Sequence, residues 1–395
     1  LVTSAIGIGG GDVDRIDPTD MRVLLLHNRY RAEGGEERSV EEIARLLGER
    51  GHTAEVLERA SGGLGRVRAT AALWHGGLEA GAVERAARSL RADVVHAHNL
   101  HPLFGWRALA AGRAAGARVV LHLHQFRLFC AIGVAYRDGA PCFRCRGGDT
   151  LPGLRLRCRG SLPEAAAYAA GLHRQLPQLL AHADRLVTVS DATLGKLVEL
   201  GVPAGQITSL PNFVPASAFV ARSRADQGRH VLVAGRLVPE KGFDTAVLAC
   251  RASGVPLVVA GEGPDAPRLR ALAAGADVRF AGQLSREELA RVRAEAGLVL
   301  APSDSDDACP YAVVEALAAG VPVIASDRGG LPELAGPGGV VAAGDVAAWT
   351  SAVAAAWSHP ADRLQRGQAA LAHARERCHP DVYYRSLMNI YGGEV

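Results

Sequence analysis

From Met21 onward, short wholly apolar runs alternate with segments whose apolar residues recur every three or four positions. Apolar runs of roughly four to eight residues suit strands buried on both faces, and the intervening period is that of amphipathic helices. Residues 22–27 predict the first strand. Val40, Ile43, Ala44 and Leu47 then fall at i, i+3, i+4 and i+7, a helical stripe entered through the turn Gly34-Gly35. Further strands are predicted at 93–98, 118–124 and 185–190. After residue 212 the alternation restarts, with strands at 230–235, 256–261, 277–282, 297–302 and 321–326. Between the halves, 214–229 is polar and broken and reads as a linker.

Two such halves predict an α/β fold of two Rossmann-like, doubly wound domains facing a central cleft. A length of 395 residues suits two domains. The expected divisions are a disordered extension at 1–20, a first domain at 21–213 with a Cys-rich insert at 130–160, a second domain at 214–377, and a terminal helix at 378–395. The stretch Tyr383 to Tyr391 is amphipathic. Gly7-Ile8-Gly9-Gly10-Gly11 has the composition of a phosphate loop, but no strand precedes it and it is set aside. No apolar run approaches the ~18 residues of a membrane-spanning helix, so none is expected. Residues 1–20 carry four Asp and no apolar core, which argues against a secretory signal and for a cytoplasmic, reduced protein.

Charge changes this picture only through its distribution. The net +3 is too small for a nucleic-acid binder, and no such partner is expected. Residues 21–212 nevertheless hold 25 Lys and Arg against 17 Asp and Glu, whereas 213–395 hold 18 against 20. The first half is therefore expected to meet an anionic ligand or a peripheral membrane surface, a solvated Arg-rich surface being the alternative. Only two lysines occur, Lys196 and Lys241. A lysine kept in an arginine-dominated chain points to a place where the compact ammonium matters.

Lys241 lies in Gly235-Arg236-Leu237-Val238-Pro239-Glu240-Lys241-Gly242, which leaves a predicted strand and enters a helix. Arg236 and Lys241 at that helix N-terminus suit a diphosphate. The acidic loop Asp304-Ser305-Asp306-Asp307 follows the strand at 297–302 and leads through Ala308-Cys309-Pro310-Tyr311 to Glu315. A carboxylate there can accept hydrogen bonds from a ribose diol.

These segments resemble the family 4 retaining glycosyltransferases of GT-B fold. The resemblance is carried by Gly34-Gly35, His124, the 235–242 segment, Gly261-Glu262-Gly263-Pro264, the pair Asp307 and Glu315, 322–326, Gly329-Gly330 and Glu333. It implies an enzyme that moves a sugar from a nucleoside-diphosphate donor, a UDP-sugar by family frequency, to a hydroxyl acceptor with retention. The acceptor would be a small molecule, glycan or lipid-linked saccharide, in natural-product or cell-envelope glycan biosynthesis. A nucleotide-sugar epimerase and a non-catalytic sugar-nucleotide binder remain the alternatives. The resemblance implies that His124, Arg236, Lys241 and Asp307 act in catalysis. Gly34, Gly35, Arg236, Lys241, Gly261, Leu284, Ala308, Cys309, Pro310, Tyr311 and Glu315 would then bind the donor, without a cofactor or divalent metal for transfer. Asp307 stands where the family usually has Glu, a reach shorter by one methylene. His96, His98 and His122 read instead as hydrogen-bonded core histidines.

Cys130, Cys142, Cys145 and Cys158 form a C-x11-C-x2-C-x12-C pattern in a basic segment with six Arg, among them Arg144, Arg146, Arg155 and Arg157. A structural zinc held by the four thiolates is the expectation there, with free thiols, a disulfide or an iron–sulfur cluster as the alternatives. The segment has many Gly and Pro, and is expected to be too broken to pack a core of its own.

Overall fold

The computed structural model describes residues 20–29, 34–336 and 339–393; all but the last residue of the extension expected at 1–20 lie outside these. In the first strand, β1 (Arg22–Arg29), Val23 and Leu25 join one core cluster and Leu24 and Leu26 another. Strand side chains alternate in direction, so a strand apolar at every position must be covered on both faces. Five more strands complete a parallel sheet: β2 (Thr53–Ala60), β3 (Val94–Ala97), β4 (Arg118–Leu123), β5 (Arg185–Thr188) and β6 (Ile207–Ser209). Their order is β2-β1-β3-β4-β5-β6.

The second domain repeats the plan. Its strands are β7 (His230–Ala234), β8 (Leu257–Ala260), β9 (Val278–Gly282), β10 (Ala296–Ala301), β11 (Val323–Ser326) and β12 (Val340–Val341), ordered β9-β8-β7-β10-β11-β12 and all parallel. Val231 and Val233 face one core and Leu232 the other.

Six helices matter for the site: α1 (Gly35–Glu49), α2 (Asp191–Glu199), α3 (Phe243–Ser253), α4 (Arg286–Ala294), α5 (Tyr311–Ala318) and α6 (Pro380–Gly392). Helix α6 packs on the first sheet. Tyr383, Leu387, Ile390 and Tyr391 share a core with Val23, Leu25, Ile43 and Leu47.

Two segments differ from the reading of the sequence. The 214–229 stretch is tied down: Val214, Ser223 and Ala225 are buried, Ser223 Oγ donates to the Gly320 carbonyl at 2.5 Å, and Arg363 Nε donates to the Ala225 carbonyl at 3.1 Å. Its polar residues serve hydrogen bonds to the second domain. The Cys-rich insert also packs, through buried Ala131 and Ala135 and through Phe143, whose ring meets Phe126 edge-on at 5.0 Å between centroids.

Candidate functional site

In the second sheet β7 lies between β8 and β10, so the chain turns to opposite sides there and leaves a crevice at the strand ends. The loops after β7 and β10 meet in that crevice. Gly242, which ends the turn Pro239–Lys241, has φ +62, and a Cβ on it would stand 2.1 Å from the Pro302 carbonyl oxygen. That closeness seats Lys241 on Asp307, with Nζ 2.7 and 2.6 Å from the two carboxylate oxygens. Ser303 Oγ donates to the same carboxylate at 2.6 Å. Burial pushes the Asp307 carboxyl up, but Lys241, the Ser303 hydroxyl and the Arg236 charge outweigh it and hold the group below the usual carboxylate range. The shorter side chain at 307 therefore faces the lysine. Arg236 is exposed on the same loop.

Gly261 follows β8 at φ +130, where a Cβ would stand 1.9 Å from the Gly235 carbonyl oxygen, so a third loop closes on the first. Leu284, after β9, is half-buried against the second domain's core. Ala308, Cys309 and Tyr311 are buried, and Pro310 half-buried. Their loop is fixed by Asn212 Nδ2 donating to the Cys309 carbonyl at 2.7 Å and by the Gly330 amide donating to the Asp307 carbonyl at 2.8 Å.

Glu315, expected to be open to a ribose, is occupied. Arg38 of α1 binds its Oε1 at 2.6 Å and Arg293 of α4 its Oε2. The Arg38 guanidinium also lies over the Tyr311 ring, 4.3 Å from its centroid. A Cβ on Gly35 would meet that ring at 3.4 Å, so the structure brings Gly34-Gly35 and the 308–311 loop together across the cleft. Sequence reasoning missed Arg38 and Arg293, because no motif marks one arginine among many. Further bridges between the domains are Arg286 to Glu41 at 2.8 Å, and Glu333, whose carboxylate accepts from the Asp191 and Ala192 amides at the start of α2.

On the first-domain side His124 follows β4, half-buried, with Nε2 2.9 Å from His98 Nδ1. Burial, then the neighbouring His27 and His96, push its pKa down to about 3, so it is a neutral imidazole. Small and larger cavities adjoin here. His98, His122, His124, Glu36 and Gln125 line the smaller; Arg66, Arg159, Glu164 and Tyr168 line the larger, of about 400 Å³; His101 and Arg127 line both. His96 and His98 are buried and hydrogen-bonded through Nδ1, as expected, although Nε2 of each has no partner. His122 needs correction, because it is buried with no hydrogen-bond partner at either nitrogen.

The four cysteines Cys130, Cys142, Cys145 and Cys158 do line one cavity. Among the described residues, however, the one set of three metal-ligating atoms within 4.8 Å of one another is histidine, so no three of these sulfurs are that close. Tetrahedral zinc at about 2.3 Å from each sulfur needs them nearer. Phe126, Phe129 and Phe143 line the same cavity, so the loop packs on aromatic side chains as well. Burial raises the Cys130 thiol and pushes Cys145 up to about 11, which keeps both protonated at neutral pH.

Comparison with known proteins gives the geometry a context. Residues 33–218 match the family described as Glycosyltransferase Family 4, and residues 218–373 that described as Glycosyl transferases group 1. A GDP-mannose-dependent alpha-mannosyltransferase of Mycobacterium tuberculosis is 29% identical over 64% of this chain and 60% of its own length. One from Mycolicibacterium smegmatis is 32% identical over 52% and 56%, and an amylovoran biosynthesis glycosyltransferase of Erwinia amylovora 28% over 55% and 58%. The chain thus spans less than two thirds of these relatives. Among solved structures, sucrose-phosphate synthase from Thermosynechococcus elongatus superposes with a TM-score of 0.69 at 17% identity, over 94% of this chain and 98% of that one. Anabaena HepE in complex with UDP gives 0.64 at 17%, over 94% and 100%. No helix among the described residues is long and apolar enough to cross a membrane.

Proposed function

The chain belongs to the family 4 glycosyltransferases of GT-B fold, and on that premise we propose that it transfers a sugar from a nucleoside diphosphate to a hydroxyl acceptor with retention of configuration. The observation that carries the reading is the seating of Lys241 and Arg236 where the loops after β7 and β10 converge. Two cations at the mouth of α3 suit a diphosphate whose charge grows as the glycosidic bond breaks. In front-face substitution the leaving diphosphate takes the acceptor proton. The protein then supplies electrostatic stabilisation without a side-chain base, and a neutral His124 fits a positioning role beside the sugar. No divalent ion takes part in transfer on this reading.

The donor is read as a UDP-sugar, bound in the second domain, with the acceptor in the cavities of the first. Binding of UDP by the Anabaena protein agrees with this base; the names of the mycobacterial relatives favour GDP-mannose as the second reading. A glycan or lipid-linked acceptor, presented near a membrane surface by the Arg-rich insert, belongs to the same proposal. The test is donor consumption by the purified chain, with UDP-glucose and GDP-mannose in parallel, with and without an acceptor panel. Acceptor-dependent release of the nucleoside diphosphate and a product anomer matching the donor support transfer. Conversion of donor to its epimer without acceptor, or binding with no turnover under any condition, overturns it.

A further inference from the structure

The histidines behind the cleft form an arrangement to which the proposed transfer assigns no bond-making or bond-breaking step. His96 is the third residue of β3, His98 follows the strand, and His122 lies on the adjoining β4, where its neighbour in register is Val187 of β5. One nitrogen of each lies within 4.8 Å of the other two. The ring centroids are 4.5 Å apart for His96–His98, 5.3 Å for His96–His122 and 5.1 Å for His98–His122. Imidazoles sharing one ion at metal–nitrogen distances of about 2.0–2.1 Å and a tetrahedral angle hold their centroids about 5 Å apart.

The hydrogen bonding points the same way. His96 Nδ1 is engaged by Tyr391 Oη at 2.8 Å, and His98 Nδ1 by His124 Nε2 at 2.9 Å. Each Nε2 is left without a partner, and His122 lacks one at either nitrogen. A buried polar atom left unsatisfied is costly, and here four belong to three adjoining rings. An outer partner on Nδ1 that fixes the ring and leaves Nε2 for a ligand is the habit of metal-bound histidine. Burial favours the neutral form of all three rings, and only neutral imidazole has a lone pair to give.

We infer that His96, His98 and His122 form a binding site for one late first-row divalent cation of the zinc type. The donor set is three neutral nitrogens, borderline in softness, which suits Zn²⁺, Co²⁺ or Ni²⁺ over Mg²⁺ or Ca²⁺. His98 and His122 also line the smaller cavity, so a water from it can complete the coordination. Binding asks the rings of His96 and His122, now parallel within 5°, to tilt about Cβ–Cγ, a soft torsion. The ion would join β3 to β4 and, through Tyr391, to α6. Through His98 it would also fix the ring of His124. It is a structural ion next to the transfer site and takes no part in bond breaking.

The test uses the full chain, purified without affinity metal, stripped with chelator and titrated with Co²⁺ alone. One equivalent bound, with the intense visible bands of a four- or five-coordinate nitrogen site and displacement by Zn²⁺, is the expected result. His122→Ala should weaken Co²⁺ at least ~10-fold, the scale at which even outer partners of metal sites act. His359→Ala, an exposed control, should not. Because His122→Ala could misfold, X-ray absorption on the zinc-loaded wild type gives a second readout: three imidazole nitrogens near 2.0–2.1 Å. Binding below ~0.2 equivalents, unchanged affinity in a folded His122→Ala, or sulfur scatterers near 2.3 Å from the Cys-rich loop would each overturn the assignment.

Discussion

Lys241 holds the Asp307 carboxylate by two contacts and in turn owes its position to the turn that Gly242 ends. Replacing it by Ala removes a cation from the proposed leaving group and strands a half-buried carboxylate. Transfer should fall at least ~100-fold, the scale of a lost transition-state donor, with near-ultraviolet dichroism unchanged. Near-normal turnover in that variant would sink the diphosphate assignment. The pH behaviour follows from the same pair. Asp307 titrates below its ordinary 3.8 in the folded chain, so its contribution to stability is complete above that value and lost as pH falls through the lower folded value. Between pH 5 and 8 neither its charge nor its share of stability should change, so a kcat/KM profile should carry no limb that Asp307→Asn removes. The lysine could be singled out from composition alone. Asp307 was singled out only through the family resemblance, and its pairing with Lys241 was not read at all, because the choice among Asp304, Asp306 and Asp307 is made by how two backbones touch. Arg38 and Glu315 lie in different domains and share no local pattern that a sequence would display.

Of the nine strands read from the sequence, eight are inner ones with apolar residues facing both ways and one, β9, lies at a sheet edge; β7 and β8 differ from their predicted spans by a residue or two at the ends. Missed were β2, β6 and β12, all at sheet edges. Strand β2 is Thr-Ala-Glu-Val-Leu-Glu-Arg-Ala, with no buried residue. An edge strand has one neighbour and tends to carry charge, so its apolar signal is weak. Three-residue β6 and two-residue β12 are too short to show a period. Helix starts were legible where a glycine turn preceded them. At α3 that glycine is required twice over, for its left-handed φ and for the 2.1 Å approach of the Pro302 carbonyl. Gly242→Ala should cost about 1–3 kcal/mol from backbone strain alone, read as a lower denaturation midpoint. It should also weaken nucleotide binding, because the loops after β7 and β10 must part. Unchanged stability would show that the contact is not tight in solution.

Two similar domains with a cleft invite the expectation of a hinge that closes on the donor, yet here the cleft is already bridged. Arg38–Glu315, Arg286–Glu41 and the carboxylate of Glu333 at α2 all cross it. If Glu315 is to receive a ribose, Arg38 must give way, so opening precedes binding. Arg38→Ala should therefore enlarge the radius of gyration of the nucleotide-free chain in small-angle scattering, and saturating UDP should reduce it again. A radius equal to wild type without nucleotide would show that the bridge does not hold the domains. The molecule is also joined by α6, made last among the described elements yet part of the first sheet's core. During synthesis the chain emerges in order, so β1 to β6 are complete long before Tyr383, Leu387, Ile390 and Tyr391 arrive. The part of that sheet's face that α6 covers, beside α1, must wait exposed while the whole second domain is made. The nascent first half is thus the part of this protein most in need of a chaperone, and its folding is paced by the translation of its partner domain.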